Sequence, residues 1–566
     1  MLPTGILRLT LDPQQGRKTL LGPGRAVTFN LADLFESVVD QVADQTAMVS
    51  GSRRLSYAEL DQRANRLAHY VERLGIGPGD RVGLQLVNGT EYIESMLACF
   101  KIRAVPVNVN YRYQSGELAY LYRNAGLMGL IFHGRFAPAV TDAFGAMPET
   151  RAVLEVSDPL GRPPGTGPGE DYEHALGSAP DNRGFPARRH DDIYCVYTGG
   201  TTGMPKGVLW RHDDIFFAAM GGGDPLSLGN HIAAPEELAS RILHPGITAL
   251  AIPPFMHAAG HWLAFSTLFG GGKVVTLGGG GFDPSEVWRL VEAEQVNAIA
   301  VVGDAMVRPL LDDLVTQPDR YDLSSLMAVG SGGAVLSPST KLQLAEMLPG
   351  RIIADRFGSS ETGQVGGEMP ADNPYGPPRL RVDQCTDVFD SELQPLSPGS
   401  GVTGHLARGG HVPIGYLGDP IQSAATFVEV RGQRWALPGD LARVEADGTI
   451  VVLGRGSLCI NTGGEKVFPD EVEAALKDHP DITDAVVVGL PDDRFGERVV
   501  ALVLPRVGHL VDPESLRRDA RARLSGYKVP REIIIVEEVV RSPSGKPDYL
   551  WARAFAEAAP RGRDKD

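Results

Sequence analysis

At 566 residues the chain exceeds any ordinary single domain and predicts two to four compact units with large cores. Apolar residues at 43% and charged residues at 22% are globular values, and a net charge of −16 disfavours nonspecific nucleic-acid binding, so an anionic ligand must be met by local basic groups. The four cysteines, Cys99, Cys195, Cys385 and Cys459, stand far apart without a Cys-x-x-Cys pair, which signals neither a zinc site nor a disulfide framework and suits a reducing cytoplasm.

Residues 1–18 lack the basic start and apolar core of an export signal. Ser56 followed by Glu59 forms a capping box, and Leu60, Ala64, Leu67, Ala68 and Val71 recur on one helical face behind it. Residues 81–86 read as a strand, and helix and strand patterns alternate through 90–340, as in 287–291 before 298–302. That alternation indicates a layered α/β architecture with mainly parallel sheets. Residues 161–186 are rich in Gly, Pro and Asp and read as a surface connection.

Residues 197–207 then read Tyr-Thr-Gly-Gly-Thr-Thr-Gly-Met-Pro-Lys-Gly, directly after the apolar run 193–196. Glycine lets backbone N–H groups converge on an anion, threonine hydroxyls add neutral donors, and Lys206 supplies a cation, a set that suits a polyphosphate. A Walker loop is excluded, because Lys206 lies between Pro205 and Gly207 with no hydroxyl beside it to hold magnesium. The most apolar long stretch, 249–269, contains Pro253, Pro254, His257 and His261, and so reads as buried protein, not as a membrane span. The glycine run 278–281 lacks dinucleotide-binding spacing and reads as a turn. Near the end, 441–444 and 449–453 flank Asp447-Gly448, a hairpin signal. A helix opened by Pro469, strands at 485–488 and 499–504, a helix after Pro513 and a strand at 533–536 complete a small α+β unit. The division falls at 455–457, giving an N-terminal unit 1–455 and a C-terminal unit 456–566.

Downstream of the glycine-threonine loop come Pro254-Phe-Met-His257-Ala-Ala-Gly260, Gly330-Ser-Gly-Gly-Ala334, Asp355-Arg-Phe-Gly-Ser-Ser-Glu361-Thr, Pro438-Gly-Asp440, Gly454-Arg455, Gly463-Gly-Glu465 and Ser542-Pro-Ser-Gly-Lys546. In order and spacing this series resembles the adenylate-forming (ANL) superfamily over almost the whole chain, and within it the acyl-CoA synthetases. The wording of the loop, with Tyr111-Arg112-Tyr113 ahead of Gly116-Glu-Leu118, is most similar to bacterial synthetases for long-chain and steroid side-chain carboxylates.

A carboxylate and ATP repel each other, so joining them requires neutralisation, alignment at the α-phosphorus and a held pyrophosphate. Glu361 offers a hard oxygen to Mg²⁺, and Ser360, where the family more often has threonine, can donate to a phosphate. By the resemblance, Thr198, Gly199, Gly200, Thr201, Thr202, Gly203 and Lys206 cradle the phosphates, and Gly332, Gly333 and Ala334 approach the nucleotide with their backbone. Phe357 stacks on adenine, Asp355 and Gly358 border the base, and Asp440 takes the ribose hydroxyls beside Arg455. Lys546 carries adenylation. The small domain then rotates for attack by CoA, with Gly463 and Gly464 lining the pantetheine route; Ser457 departs from the Asp or Lys that relatives often place at the hinge. His257 is implied as a gate, whereas His261 reads as a buried, hydrogen-bonded histidine. The resemblance leaves a homodimer open.

Rival readings are weaker. No Gly-x-Ser-x-Gly elbow supports a serine hydrolase, His257 and His261 lack the pattern of a zinc helix, and a silent binding protein would be expected to have lost Lys546, Glu361 or Lys206. Luciferase-type oxidation shares these motifs and stays open. Small residues at Ala258, Ala259, Gly260, Gly330 and Gly332, and the lack of Lys or Arg between His257 and Phe269, point to a bulky apolar acid, a fatty acid or a steroid with a carboxylated side chain.

Overall fold

In the computed structural model the described residues are 28–158, 167–200, 203–224, 229–278, 281–334, 336–368, 379–462, 465–492, 495–541 and 546–559, with the short paired strands Leu20–Leu21 and Arg25–Ala26 ahead of them. Two large sheets build the N-terminal part. In the first, Val105–Asn108, Arg81–Gln85, Leu127–His133, Ala152–Val156 and Glu170–Asp171 pair in parallel, and Ile193–Gly200 joins Val105–Asn108 in parallel before turning back antiparallel into Gly203–Arg211. The second sheet has a parallel centre, Thr46–Ser50, Lys273–Thr276, Thr248–Ala251, Ala298–Val301, Ala328–Gly332 and Ile352–Ser359 in spatial order. From Gly363–Glu368 onward it continues antiparallel through Arg379–Val382 to the hairpin of Asp440–Val444 and Ile450–Arg455. The α/β class thus holds, with parallel strands where helical crossovers separate them and antiparallel ones where turns do.

Between the sheets lies the main core, formed by Leu31–Val42, Tyr57–Arg73, Thr90–Lys101 and Ala258–Phe269. The capping box at Ser56 and Glu59 is present, and Leu60, Ala64, Leu67, Ala68 and Val71 are buried on the face that the spacing assigned to them. Of the segment 161–186, the described part from 167 onward is more structured than its composition suggests. Asp171 caps the helix Tyr172–Gly177, and Tyr172 is buried with its hydroxyl on Glu94 Oε2 at 2.8 Å, so a local cap and one aromatic anchor outweigh the flanking Gly and Pro. Within 249–269 the chain forms the strand end at Ala251 and the helix Ala258–Phe269, and no helix among the described residues is long and apolar enough to cross a membrane.

Arg455 closes the large sheet, the turn Gly456–Leu458 follows, and Ile460–Thr462 opens a separate five-stranded sheet. Its strands Ile482–Asp492 and Gly496–Pro505 form a long antiparallel pair beside Glu532–Ile535. Helices Pro469–Lys477 and Pro513–Arg521 cover one face, and Tyr549–Ala558 covers the other. That last helix has no counterpart in the elements read from the sequence.

Candidate active site

The described residues of the glycine-threonine loop end two paired antiparallel strands. Gly200 pairs with Gly203 and Thr198 with Lys206, with a bulge between Thr198 and Gly200. Thr201 and Thr202 lie outside the described residues, as do Gly463 and Gly464. Lys206 turns toward the edge strand Gly415–Tyr416 and the helix Pro420–Thr426 and does not line the cleft: its Nζ is 3.0 Å from Asp419 Oδ2 and 5.5 Å from the centroid of Tyr416. Tyr416 in turn donates its hydroxyl to Glu361 Oε1 at 3.1 Å.

Two adjacent parallel strands deliver the next groups at their carboxyl ends, where ligands of open α/β sheets bind. Ala328–Gly332 and Ile352–Ser359 run in register with Ser331 opposite Asp355 and Gly332 opposite Arg356. Past the first strand, Gly333 has φ +84° with open space at its Cα, and it lines the cleft together with Ala334. Asp355 holds Lys341 Nζ at 2.9 Å, so the expected reader of the base edge already has a cationic partner. Phe357, Gly358, Ser360 and Glu361 face the same cleft. Gly358 must be glycine because a Cβ there would run into the Gly363 carbonyl. The turn is fixed by Ser359 N donating to Thr362 Oγ1 at 3.0 Å and Glu361 N donating to Ser359 Oγ at 3.2 Å, while the Ser360 carbonyl accepts from Trp210 Nε1 at 3.0 Å.

Asp440 and Arg455 are register partners at the end of the hairpin, Nε to Oδ1 3.2 Å. Burial raises the Asp440 carboxyl above its ordinary range; Arg455 pulls it down, and Glu361 pushes it up again. From the small domain Lys546 reaches this group. Crowding by protein lowers its ammonium, and Arg455 adds to that, whereas Glu361, Asp440 and Asp470 oppose it. Lys546 still opens to solvent in the cleft, so water screens part of the effect. The cleft has a volume of about 340 Å³ and is bounded by both domains, with Thr198, Gly333, Ala334, Asp355, Phe357, Glu361, Asp440, Arg455 and Lys546 on its wall.

Three expected residues stand apart. Gly332 precedes the wall in register, and Lys206 is absent from it. His257 is the half-buried residue at the N-terminus of Ala258–Phe269 and does not line this cleft. His261 is structural: it is buried, its Nδ1 donates to the Phe255 carbonyl at 2.7 Å, and its Nε2 accepts from the Tyr194 hydroxyl, which itself accepts from Trp262 Nε1 at 2.9 Å. Burial lowers it to about 4 and keeps it neutral. Gly260 is small for a reason other than substrate volume, since a Cβ there would meet the Pro253 and Pro254 carbonyls at 2.6 and 2.8 Å. Gly330, with only the Ile299 carbonyl within 4 Å of such a Cβ, at 3.8 Å, does keep space.

Sequence reasoning missed Tyr416 and the helix face that carries Asp470, Glu473 and Lys477. The second was readable, since positions i, i+3 and i+7 after a Pro-marked start share one face. Glu473 accepts from Val487 N at 3.0 Å and from the Tyr549 hydroxyl at 3.2 Å. Burial pushes its carboxyl up to about 7, with Lys477 opposing and Asp470 reinforcing.

The cleft at the strand ends is thus walled by residues of the large sheet, the hairpin of Asp440–Val444 and Ile450–Arg455, and Lys546. The AMP-binding enzyme family model matches residues 35–417 and the AMP-binding enzyme C-terminal domain matches 471–546, and the chain belongs to this family. It is 45% identical over 534 residues to a 3-oxocholest-4-en-26-oate--CoA ligase of Rhodococcus rhodochrous, covering 93% of this chain and 96% of that protein. To a medium/long-chain-fatty-acid--CoA/3-oxocholest-4-en-26-oate--CoA ligase of Mycobacterium tuberculosis (strain ATCC 25618 / H37Rv) it is 44% identical over 538 residues, 94% of this chain and 97% of that one. In fold it is similar to the anthranilate CoA ligase AuaEII in complex with anthranoyl-AMP, with a TM-score of 0.80 at 21% identity over 94% of this chain and 99% of that one.

Proposed function

We propose that this protein is an ATP-dependent acyl-CoA ligase for medium- to long-chain fatty acids or steroid side-chain carboxylates, working in the cytoplasm. A carboxylate oxygen attacks the α-phosphorus of ATP, the bond to the bridging oxygen breaks, and pyrophosphate leaves. The CoA thiol then attacks the carbonyl of the acyl-adenylate, its proton passes to solvent, and AMP departs. The observation that carries this reading is the convergence of Lys546 with Glu361, Asp440 and Arg455 on one cleft wall, a cation from one domain among the acids of another. In that position the lysine lowers the repulsion between carboxylate and α-phosphate as charge develops. Asp440 accepts from the ribose hydroxyls, Phe357 covers the adenine, and Gly333 and Ala334 give backbone room beside it.

Glu361 fits Mg²⁺ as a single hard oxygen donor: Tyr416 occupies only one lone pair of Oε1, and among the described residues no group of three acidic, His or Cys side chains could hold an ion unaided. Glu361 would therefore share the ion with ATP phosphates and water, and the ion would supply neutralisation of their charge. The domain division at 455–456 and a turn about Gly456–Leu458 between the two half-reactions belong to the same proposal.

The apolar substrate class is supported by the relatives and by the open space at Gly330. A panel from acetate through palmitate to cholestenoate, scored by kcat/KM for AMP release with CoA present, tests it. Each buried methylene is worth about 0.8 kcal/mol, so the long or polycyclic acids should win by orders of magnitude. Preference for acetate or an aromatic acid would sink the assignment.

A further inference from the structure

Outside the cleft, one side chain makes several hydrogen bonds from the large domain to the backbone of the small one. Arg308 sits on the large-domain helix Gly303–Thr316 and sends its guanidinium into the backbone of the small domain. Nη2 donates to the Lys477 carbonyl at 2.7 Å, and Nη1 donates to the carbonyls of Ile482 at 2.9 Å and Thr483 at 3.4 Å. Two of these acceptors, the carbonyls of Lys477 and Thr483, are otherwise poorly served. Lys477 ends the helix Pro469–Lys477, where the last carbonyls have no partner within the helix, and the register shift between Ile482 and Asp484 leaves Thr483 out of the strand pairing. A planar fork with fixed donor directions matches two separate segments at once, which a lysine could not do. On its own domain Arg308 keeps Asp304 at 3.3 Å and Thr340 Oγ1 at 3.3 Å, so the side chain stays aimed and its charge stays compensated when the small domain leaves.

We infer that Arg308 is a positioning residue that docks the small domain in the adenylating orientation and so presents Lys546 to the nucleotide. The inference rests on the two-step ligase reading above. All three contacts to the small domain depend on its orientation, so a rotation of that domain breaks them together and costs no buried unpaired charge, because Asp304 remains. The same helix that Arg308 caps carries Asp470 and Glu473 on the cleft wall, so holding its C-terminus fixes the angle at which that wall meets the nucleotide. Arg308 itself does not line the cleft.

The test separates the half-reactions in the full-length chain. With the acid preferred in the panel, Arg308→Ala should lower kcat for acyl-adenylate formation by roughly ten- to a hundredfold, as expected for losing several charged hydrogen bonds, with KM for ATP unchanged. Thioester formation from the supplied acyl-adenylate and CoA should stay at the wild-type rate, which also shows that the variant is folded. Arg308→Lys should fall between the two. Asp312→Asn, which removes only the exposed contact to Arg506 at 4.0 Å, should leave both steps alone. Equal effects of Arg308→Ala on both steps, no effect on adenylation, or a change confined to KM for ATP overturns the inference. If Arg308→Ala does not fold, Arg308→Lys decides by the same comparison. A wild-type chain that forms no acyl-adenylate would instead overturn the ligase reading, a result distinguishable from all of these.

Discussion

Lys546 lies among groups of both signs, and its position predicts its chemistry. Lys546→Ala should abolish adenylation and spare thioester formation from supplied acyl-adenylate; loss of both steps together would contradict the assigned role. Because crowding and Arg455 lower its ammonium, the charge is lost at a lower pH than for an ordinary lysine, and the alkaline limb of the adenylation rate should fall earlier than the thioester step. Tyr416 is the residue that sequence patterns did not reveal, since a Gly-Tyr pair in a short edge strand carries no motif of its own. Its bond to Glu361 predicts that Tyr416→Phe slows adenylation roughly fivefold, about 1 kcal/mol, with a raised Mg²⁺ requirement, measured by pyrophosphate release across a Mg²⁺ titration. Unchanged Mg²⁺ dependence would remove Tyr416 from the site. Lys206 teaches the opposite lesson: its residue type and spacing were legible, but the acid that holds it, Asp419, lies more than two hundred positions away and could not be paired with it from sequence.

At the level of elements, local signals served best where they were self-contained. The capping box before Tyr57–Arg73, the Pro-opened helices Pro469–Lys477 and Pro513–Arg521 and the Asp447-Gly448 hairpin all rest on neighbours in the chain, and all are present. The helix Tyr172–Gly177 and the terminal helix Tyr549–Ala558 were obscured because their stability comes from tertiary burial, of Tyr172 in one and of Ala552 and Ala556 in the other. Helix Pro469–Lys477 carries a measurable signature. With Glu473 raised from 4.5 to about 7, folding favours its neutral form, so this contribution to stability is complete below about pH 4.5 and is lost as pH rises through about 7. Glu473→Gln keeps the acceptor for Val487 and Tyr549 and cannot ionise. Its melting temperature should match wild type near pH 5 and exceed it near pH 8; a difference independent of pH would refute the shift.

At the scale of the whole molecule, the sheet that begins at Ile460 is separate from the large one, and the pattern of strands changes after Arg455, where we place the division; the partner of each face was not legible. Ser457→Pro would stiffen that turn, and a fixed φ should slow one half-reaction more than the other, measured by adenylate formation against thioester formation; equal rates would move the pivot elsewhere. The ends of the last two large-sheet strands have a kinematic consequence. A point on a rotating body moves by its distance from the axis times the angle, and with the proposed pivot at Gly456–Leu458, Asp440 and Arg455 would lie beside it, with Gly456 N bonded to the Gly439 carbonyl at 3.0 Å. A swing about this turn would therefore sweep Lys546 through a wide arc while the ribose-facing pair hardly shifts, so the nucleotide would sit at the still centre of the motion and need not be released and rebound between the two chemical steps.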